Sequence, residues 1–68
     1  MEDELTKRFT YHPPKEGQPA RYERLRAEAH KLACNFDVEC PESREKSLAI
    51  TKLEEAVMWA NAAIARNE

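Results

Sequence analysis

Apolar positions in the first half of the chain fall on one helical stripe. Tyr22, Leu25, Ala29, Leu32 and Phe36 recur at spacings of three and four, the repeat that lines up side chains on one face of an α-helix. The helix this predicts covers about residues 19–36. It opens at Pro19, which is tolerated in a first turn because the N–H it lacks has no partner there. Residues 1–18 ahead of it contain Pro13, Pro14 and the sole glycine, Gly17, and are expected to form an irregular arm with local extended character. A second stripe, Ile50, Leu53, Val57, Ala60 and Ile64, repeats three-four-three-four, a seam of coiled-coil type. It predicts a second helix over about residues 43–66, with Ser43 placed to cap its start. Asp37, Val38 and Pro41 break the pattern in between, so residues 37–42 read as a short connection between antiparallel helices. The expected fold is all-α: one domain over residues 1–68, an antiparallel two-helix hairpin with an N-terminal arm.

The second helix does not fit a hairpin that stands alone. From Ala56 to Ala65 it reads Ala-Val-Met-Trp-Ala-Asn-Ala-Ala-Ile-Ala, apolar around nearly its whole circumference, and such a helix must be covered on more than one side. Leaving Trp59, Met58 and Ile64 wet would forgo about 1.5–3 kcal/mol for each side chain, a sum comparable with the whole stability of a small domain. With 68 residues, of which 41% are apolar, a single core is marginal. Burial between copies is therefore expected, helped by alanines that permit close approach. Asn61, the one amide in this run, needs partners once buried. A register-fixing role in the assembly stands against direct ligand contact.

Charge changes the picture because it is unevenly placed. The net charge is -2, yet Lys7 to Lys31 carries seven bases (Lys7, Arg8, Lys15, Arg21, Arg24, Arg26, Lys31) against three acids (Glu16, Glu23, Glu28). These bases are interleaved with Phe9, Tyr11, His12 and Tyr22. Within the arm, Phe9-Thr10-Tyr11-His12-Pro13-Pro14-Lys15 offers a ring that can stack, a restrained backbone and a cation. Arg21, Arg24 and Arg26 follow, and a guanidinium grips phosphate oxygens in a fork that lysine cannot match. The combination suits a ligand with phosphates and stackable rings. Tyr22 fits the first stripe and is expected in the core. Arg66 either complements the dipole of the second helix at its end or faces phosphate where copies converge.

Other chemistries find little support. His30 and Cys34 lie four apart on one helix, with Cys40 and His12 elsewhere, but a structural zinc site favours tighter, paired ligands. No metal and no cofactor are expected. Cys34 reads as a small core residue, and no Cys-x-x-Cys pair is present. Glu54 and Glu55 are adjacent and diverge on a helix, and no nucleophile with a base and an oxyanion cradle can be assembled. An enzyme is not expected. No apolar run opens the chain as a secretory signal would, and no stretch approaches the ~20 apolar residues of a membrane helix. A reducing intracellular compartment and no membrane partner are therefore expected.

The run Ser43-Arg44-Glu45-Lys46-Ser47-Leu48-Ala49-Ile50-Thr51, continuing from Leu53-Glu54-Glu55-Ala56-Val57-Met58-Trp59 to Ala65-Arg66, resembles the hairpin domain shared by phage anti-CBASS and Thoeris anti-defence sponge proteins. The arm Phe9 to Lys15 and the stretch Arg21-Tyr22-Glu23-x-x-Arg26 carry the same likeness, which spans about residues 8–67. The resemblance implies a hairpin assembled as a homohexamer in the host-cell cytoplasm. There it would capture cyclic nucleotide messengers without cleaving them and so block host CBASS immunity. The anti-CBASS branch implies two ligand classes: cyclic dinucleotides such as cyclic GMP-AMP, held between protomers, and cyclic trinucleotides around a threefold axis. Tyr11 matches the stacking tyrosine of that branch, and Arg26 stands where it presents a basic residue, often lysine, to phosphate. Arg66 falls near the position facing the trinucleotide, and His12, Pro13 and Lys15 complete the expected ligand-binding set. The alternatives are a sponge for the cyclic ADP-ribose signal of Thoeris immunity, or a small helical adaptor for protein or nucleic acid. No long nucleic acid is expected to bind under the leading reading.

Overall fold

A computed structural model describes residues 2–68. Three helices appear in chain order: α1 over Glu2–Phe9, α2 over Gln18–Glu39 and α3 over Arg44–Asn67. There is no strand among the described residues. α2 and α3 pack on one another as a hairpin.

α1 corrects the expectation of an irregular arm over residues 1–18, of which residue 1 lies outside the described residues, for among the described residues only 10–17 are non-helical up to the start of α2. The segment is short, and Leu5 and Phe9, its two apolar positions, are too few to establish a periodic stripe. Local charges and end caps favour it. Glu2, Asp3 and Glu4 occupy the first turn and Lys7 and Arg8 the last, the arrangement that complements a helix dipole, and Arg8 pairs with Glu4 at 3.3 Å. Its open C-terminal carbonyls are met by side chains: Thr10 Oγ1 donates to Thr6 O, and His12 Nε2 donates to Lys7 O at 2.9 Å.

The entry to α2 is a tight turn. Lys15 O accepts from Gln18 N at 3.0 Å, and Gln18 Oε1 accepts from Lys15 N at 2.9 Å. Gly17 sits at φ 84°, ψ -18°, the third position of a type II turn, where a side chain would be strained. α2 runs on to Glu39, beyond the expected end near Phe36, because neither glycine nor proline intervenes before Pro41. Cys40, preceding that proline, takes extended backbone (φ -100°, ψ 135°), as the proline ring demands of its neighbour. Ser43 does cap α3, its Oγ accepting from Lys46 N at 3.1 Å.

Lys46 closes the hairpin turn. Only 7% exposed, it donates through Nζ to Asp37 O at 2.9 Å, pairs with Asp37 Oδ1 at 3.0 Å and pairs with Glu42. The hydrogen bonds it donates to Glu42 and then Asp37 raise its pKa above the ordinary lysine value. Lys46→Ala is expected to lower the thermal midpoint clearly more than Lys52→Ala, since Lys52 makes only an exposed pair with Glu55 at 3.5 Å. Melting followed by circular dichroism checks the difference.

Both apolar stripes reach the α2–α3 seam, though neither is fully enclosed. Tyr22, Leu25, Ala29 and Phe36, with Ile50, Leu53, Val57, Ala60 and Ile64, are half-buried, while Leu32 stays 42% exposed. No apolar side chain among the described residues is buried. The radius of gyration is 15.1 Å, against about 11 Å for a compact chain of this length. The accessible surface is 5681 Å², against roughly 4,400 Å² for a compact monomer of this mass. The smallest Cα extent is 12 Å, so the protomer is one layer of helices with no second layer to cover it.

Candidate functional site

The open end of the hairpin is tied together by polar contacts. Gln18, 3% exposed, donates through Nε2 to Glu68 Oε1 at 3.1 Å and accepts at Oε1 from the Tyr22 hydroxyl at 3.4 Å. Arg21 Nη1 meets the same Glu68 oxygen at 2.8 Å, and Lys15 Nζ donates to the backbone oxygen of Glu68. Lys7 Nζ donates to Asn67 Oδ1 at 2.7 Å. α1, the arm, the start of α2 and the end of α3 are thereby held in one place.

Glu68 anchors this knot, and hydrogen bonds from Arg21 first and Gln18 second lower its pKa below the usual carboxylate value. A depressed carboxylate stabilises the fold above its unfolded pKa, and that contribution disappears as pH falls through the folded value. Glu68→Gln should therefore melt below the wild type at neutral pH. The gap should narrow as the pH drops below about 4. Thermal melts across that range are the check, and a gap that does not change with pH would contradict the assignment.

Next to the knot, with Tyr22 common to both, lies a groove of about 440 Å³. Tyr11, His12, Pro14 and Tyr22 line one part of it, and Arg8, Asn61 and Arg66 another. Of the residues singled out from sequence, Tyr11, His12 and Arg66 are brought together here. Pro13 is replaced on the lining by its neighbour Pro14, and Lys15 points its ammonium at Glu68. Arg26 lies elsewhere, in a second groove of about 500 Å³ along the α2–α3 seam with His30, Thr51 and Met58. Tyr11 is 79% exposed, its ring open to a stacking partner. His12 is pinned by its bond to Lys7 O, which holds the arm against the end of α1. Arg66 makes no ion pair among the described residues.

Asn61 lines both grooves. Its Oδ1 is shut off from water and has no hydrogen-bond partner, a state that costs about 1–3 kcal/mol when left uncompensated. Tyr22, expected in the core, and Asn61, for which a register role stands against ligand contact, both line the groove. The signal for Asn61 was present as the only amide in an apolar run, while Tyr22 gave none because a half-buried ring on the stripe looks like any core aromatic. Cys34 is exposed rather than in a core, and Cys34 and Cys40 are both free thiols. No group of three metal-ligating side chains converges among the described residues. What the groove assembles is recognition chemistry: rings for stacking and guanidinium groups for phosphate oxygens.

A family model, that of the Acb2/Tad1, hairpin domain, matches residues 1–65 of the chain. No significant match is found among curated proteins or solved structures.

Proposed function

The chain belongs to the Acb2/Tad1 hairpin-domain family of anti-defence sponges, and on that premise we propose that it captures cyclic oligonucleotide messengers of host CBASS immunity and holds them without cleavage. The ligands are cyclic dinucleotides such as cyclic GMP-AMP, with cyclic trinucleotides as a second class. The observation that carries this reading is the groove in which Tyr11 and Tyr22 meet Arg8 and Arg66, since stacking surfaces beside guanidinium groups are what a base joined to a phosphate requires.

Assembly belongs to the same proposal. An uncovered helix layer with Trp59 and Met58 63% and 64% exposed finds its second layer in further copies, as a homohexamer by the family likeness. A groove open on one side becomes an enclosed pocket when a second protomer closes it. No described helix is long and apolar enough to cross a membrane; by the family likeness the place of action is the host-cell cytoplasm.

The test is to mix purified protein with cyclic dinucleotides, cyclic trinucleotides and a cyclic ADP-ribose derivative, and to recover each from solution before and after denaturing the protein. Depletion of the cyclic nucleotides with release of intact ligand on denaturation is expected. Linear products would reveal an enzyme, and depletion of the ADP-ribose derivative alone would assign the chain to the Thoeris branch.

A further inference from the structure

Gln18 is 3% exposed, and the other buried side chain among the described residues, Lys46, closes the opposite end of the hairpin. A buried amide is costly unless its polar atoms are matched, and both ends of this one are engaged. Oε1 accepts from Lys15 N at 2.9 Å and from the Tyr22 hydroxyl at 3.4 Å, and Nε2 donates to Glu68 Oε1 at 3.1 Å. One side chain thus joins the arm, α2 and the end of α3. Its Oε1 bonds bear on the groove. Tyr22 lines it, and Lys15 ends the segment Tyr11-His12-Pro13-Pro14-Lys15, whose prolines fix φ and stiffen the chain. Tyr11 is 79% exposed, so its place follows from that stiff segment, which is held at His12 by Lys7 O and at Lys15 by Gln18. The other fastenings of this region to the end of α3 are surface lysine contacts, Lys7 to Asn67 and Lys15 to the backbone oxygen of Glu68, a kind that contributes little.

We propose that Gln18 is the positioning residue of the groove: it sets ligand affinity by holding Tyr11 and Tyr22 in place before the ligand arrives, without touching the ligand itself. The inference rests on the sponge reading above and adds to it what keeps the site ready. Gln18 is buried and is not on the lining of the groove, so its effect reaches a ligand through the residues it holds. Rings that already stand in place spare the ordering cost that a loose arm would incur on binding. With the side-chain bonds gone, the arm samples other positions, and apparent affinity falls with the fraction of molecules whose arm is in place. That loss has a kinetic signature. Fewer competent molecules slow association, while a ligand once bound leaves at nearly its normal rate. Removing a ring that touches the ligand speeds dissociation instead.

The experiment compares Gln18→Leu, which keeps the bulk and removes the amide bonds, with the wild type and with Tyr11→Ala. Association and dissociation of cyclic GMP-AMP are followed by surface plasmon resonance on the immobilised full chain. Hydrogen exchange at the Lys15 amide, circular dichroism and sedimentation velocity are measured on each protein without ligand. Gln18→Leu is expected to exchange the Lys15 amide faster and to bind about tenfold to a hundredfold more weakly, the change falling on association. Its helix content and assembly should be those of the wild type. Tyr11→Ala should lose affinity through dissociation instead. Gln18→Ala carries the same test should leucine alone disturb the fold. Wild-type association in an intact variant overturns the proposal, and so does a loss confined to dissociation, which would put Gln18 against the ligand. Loss of helix or assembly in both variants overturns it too, by making Gln18 a prop of the whole fold. A wild type that binds no cyclic GMP-AMP removes the dinucleotide reading of the groove, and this proposal with it, before any variant is compared.

Discussion

Trp59→Asp is expected to break the assembly into small species. In the protomer the indole is 63% exposed beside Met58, with Phe9 on α1 exposed to 85%. Its Nε1 reaches only Glu55 Oε1, at 3.4 Å, so no intramolecular bond of consequence holds it. Under the proposed assembly, a large ring left this free, within a stretch of α3 that is apolar around nearly its whole circumference from Ala56 to Ala65, marks the face expected to meet another copy. Aspartate there removes about 1.5–3 kcal/mol of apolar burial. It also asks a carboxylate to leave water, an effective penalty of several kcal/mol per ion, and in a symmetric assembly both losses recur at every copy. Trp59→Ala, which loses the area without adding a charge, should give an intermediate result, and Trp59→Phe should leave the assembly whole. Sedimentation velocity distinguishes the three. An unchanged profile for Trp59→Asp would place the indole on the outside of the assembly.

The hairpin was legible because its two long helices are written in periodicity and punctuation. Pro19 opens the first and Ser43 caps the second, and the stripes from Tyr22 to Phe36 and from Ile50 to Ile64 define the seam. α1 was not legible, since Leu5 and Phe9 are its only apolar positions, too few to establish a repeat, and end charges with capping by Thr10 and His12 from beyond its end support it. The turn was placed too early for a related reason: Asp37 looks like a breaker, yet it remains helical because Lys46, nine residues on, meets both its carbonyl and its carboxylate. The candidate residues could be picked out in the sequence, but their arrangement could not. Aromatic and basic residues in the arm suit a ligand with rings and phosphates, but which of them share a groove depends on how the arm folds back onto the end of α3. That return is fixed by Gln18, Arg21 and Glu68, whose contacts span most of the chain length. Lys15 is the clearest case. It looks like a phosphate ligand in sequence and serves as a fastening in the structure.

The separation of Tyr11 from Arg26 gives the second large effect its form. Tyr11→Ala combined with Arg26→Ala is expected to abolish dinucleotide capture while the oligomer persists. Stacking on an aromatic ring contributes about 1–3 kcal/mol per base, and a hydrogen bond to a charged group about 1.5–3 kcal/mol. Together they amount to about 2.5–6 kcal/mol, roughly a hundredfold to ten-thousandfold in affinity. The two residues line different grooves of one protomer, joined only through Asn61. One dinucleotide that touches both must bridge those grooves, or lie where the Tyr11 groove of one copy meets the Arg26 groove of the next. In either case the single variants should each weaken dinucleotide binding by about tenfold or more, and their effects should add. If Arg26→Ala leaves dinucleotide affinity untouched and abolishes trinucleotide capture, the grooves serve different ligands and the dinucleotide must find its phosphate partner in Arg8 or Arg66 beside Tyr11. A double variant that sediments as a monomer would assign both residues to the interface instead. Titration calorimetry of the two singles and the double against both ligand classes, with sedimentation of each protein, separates the three outcomes.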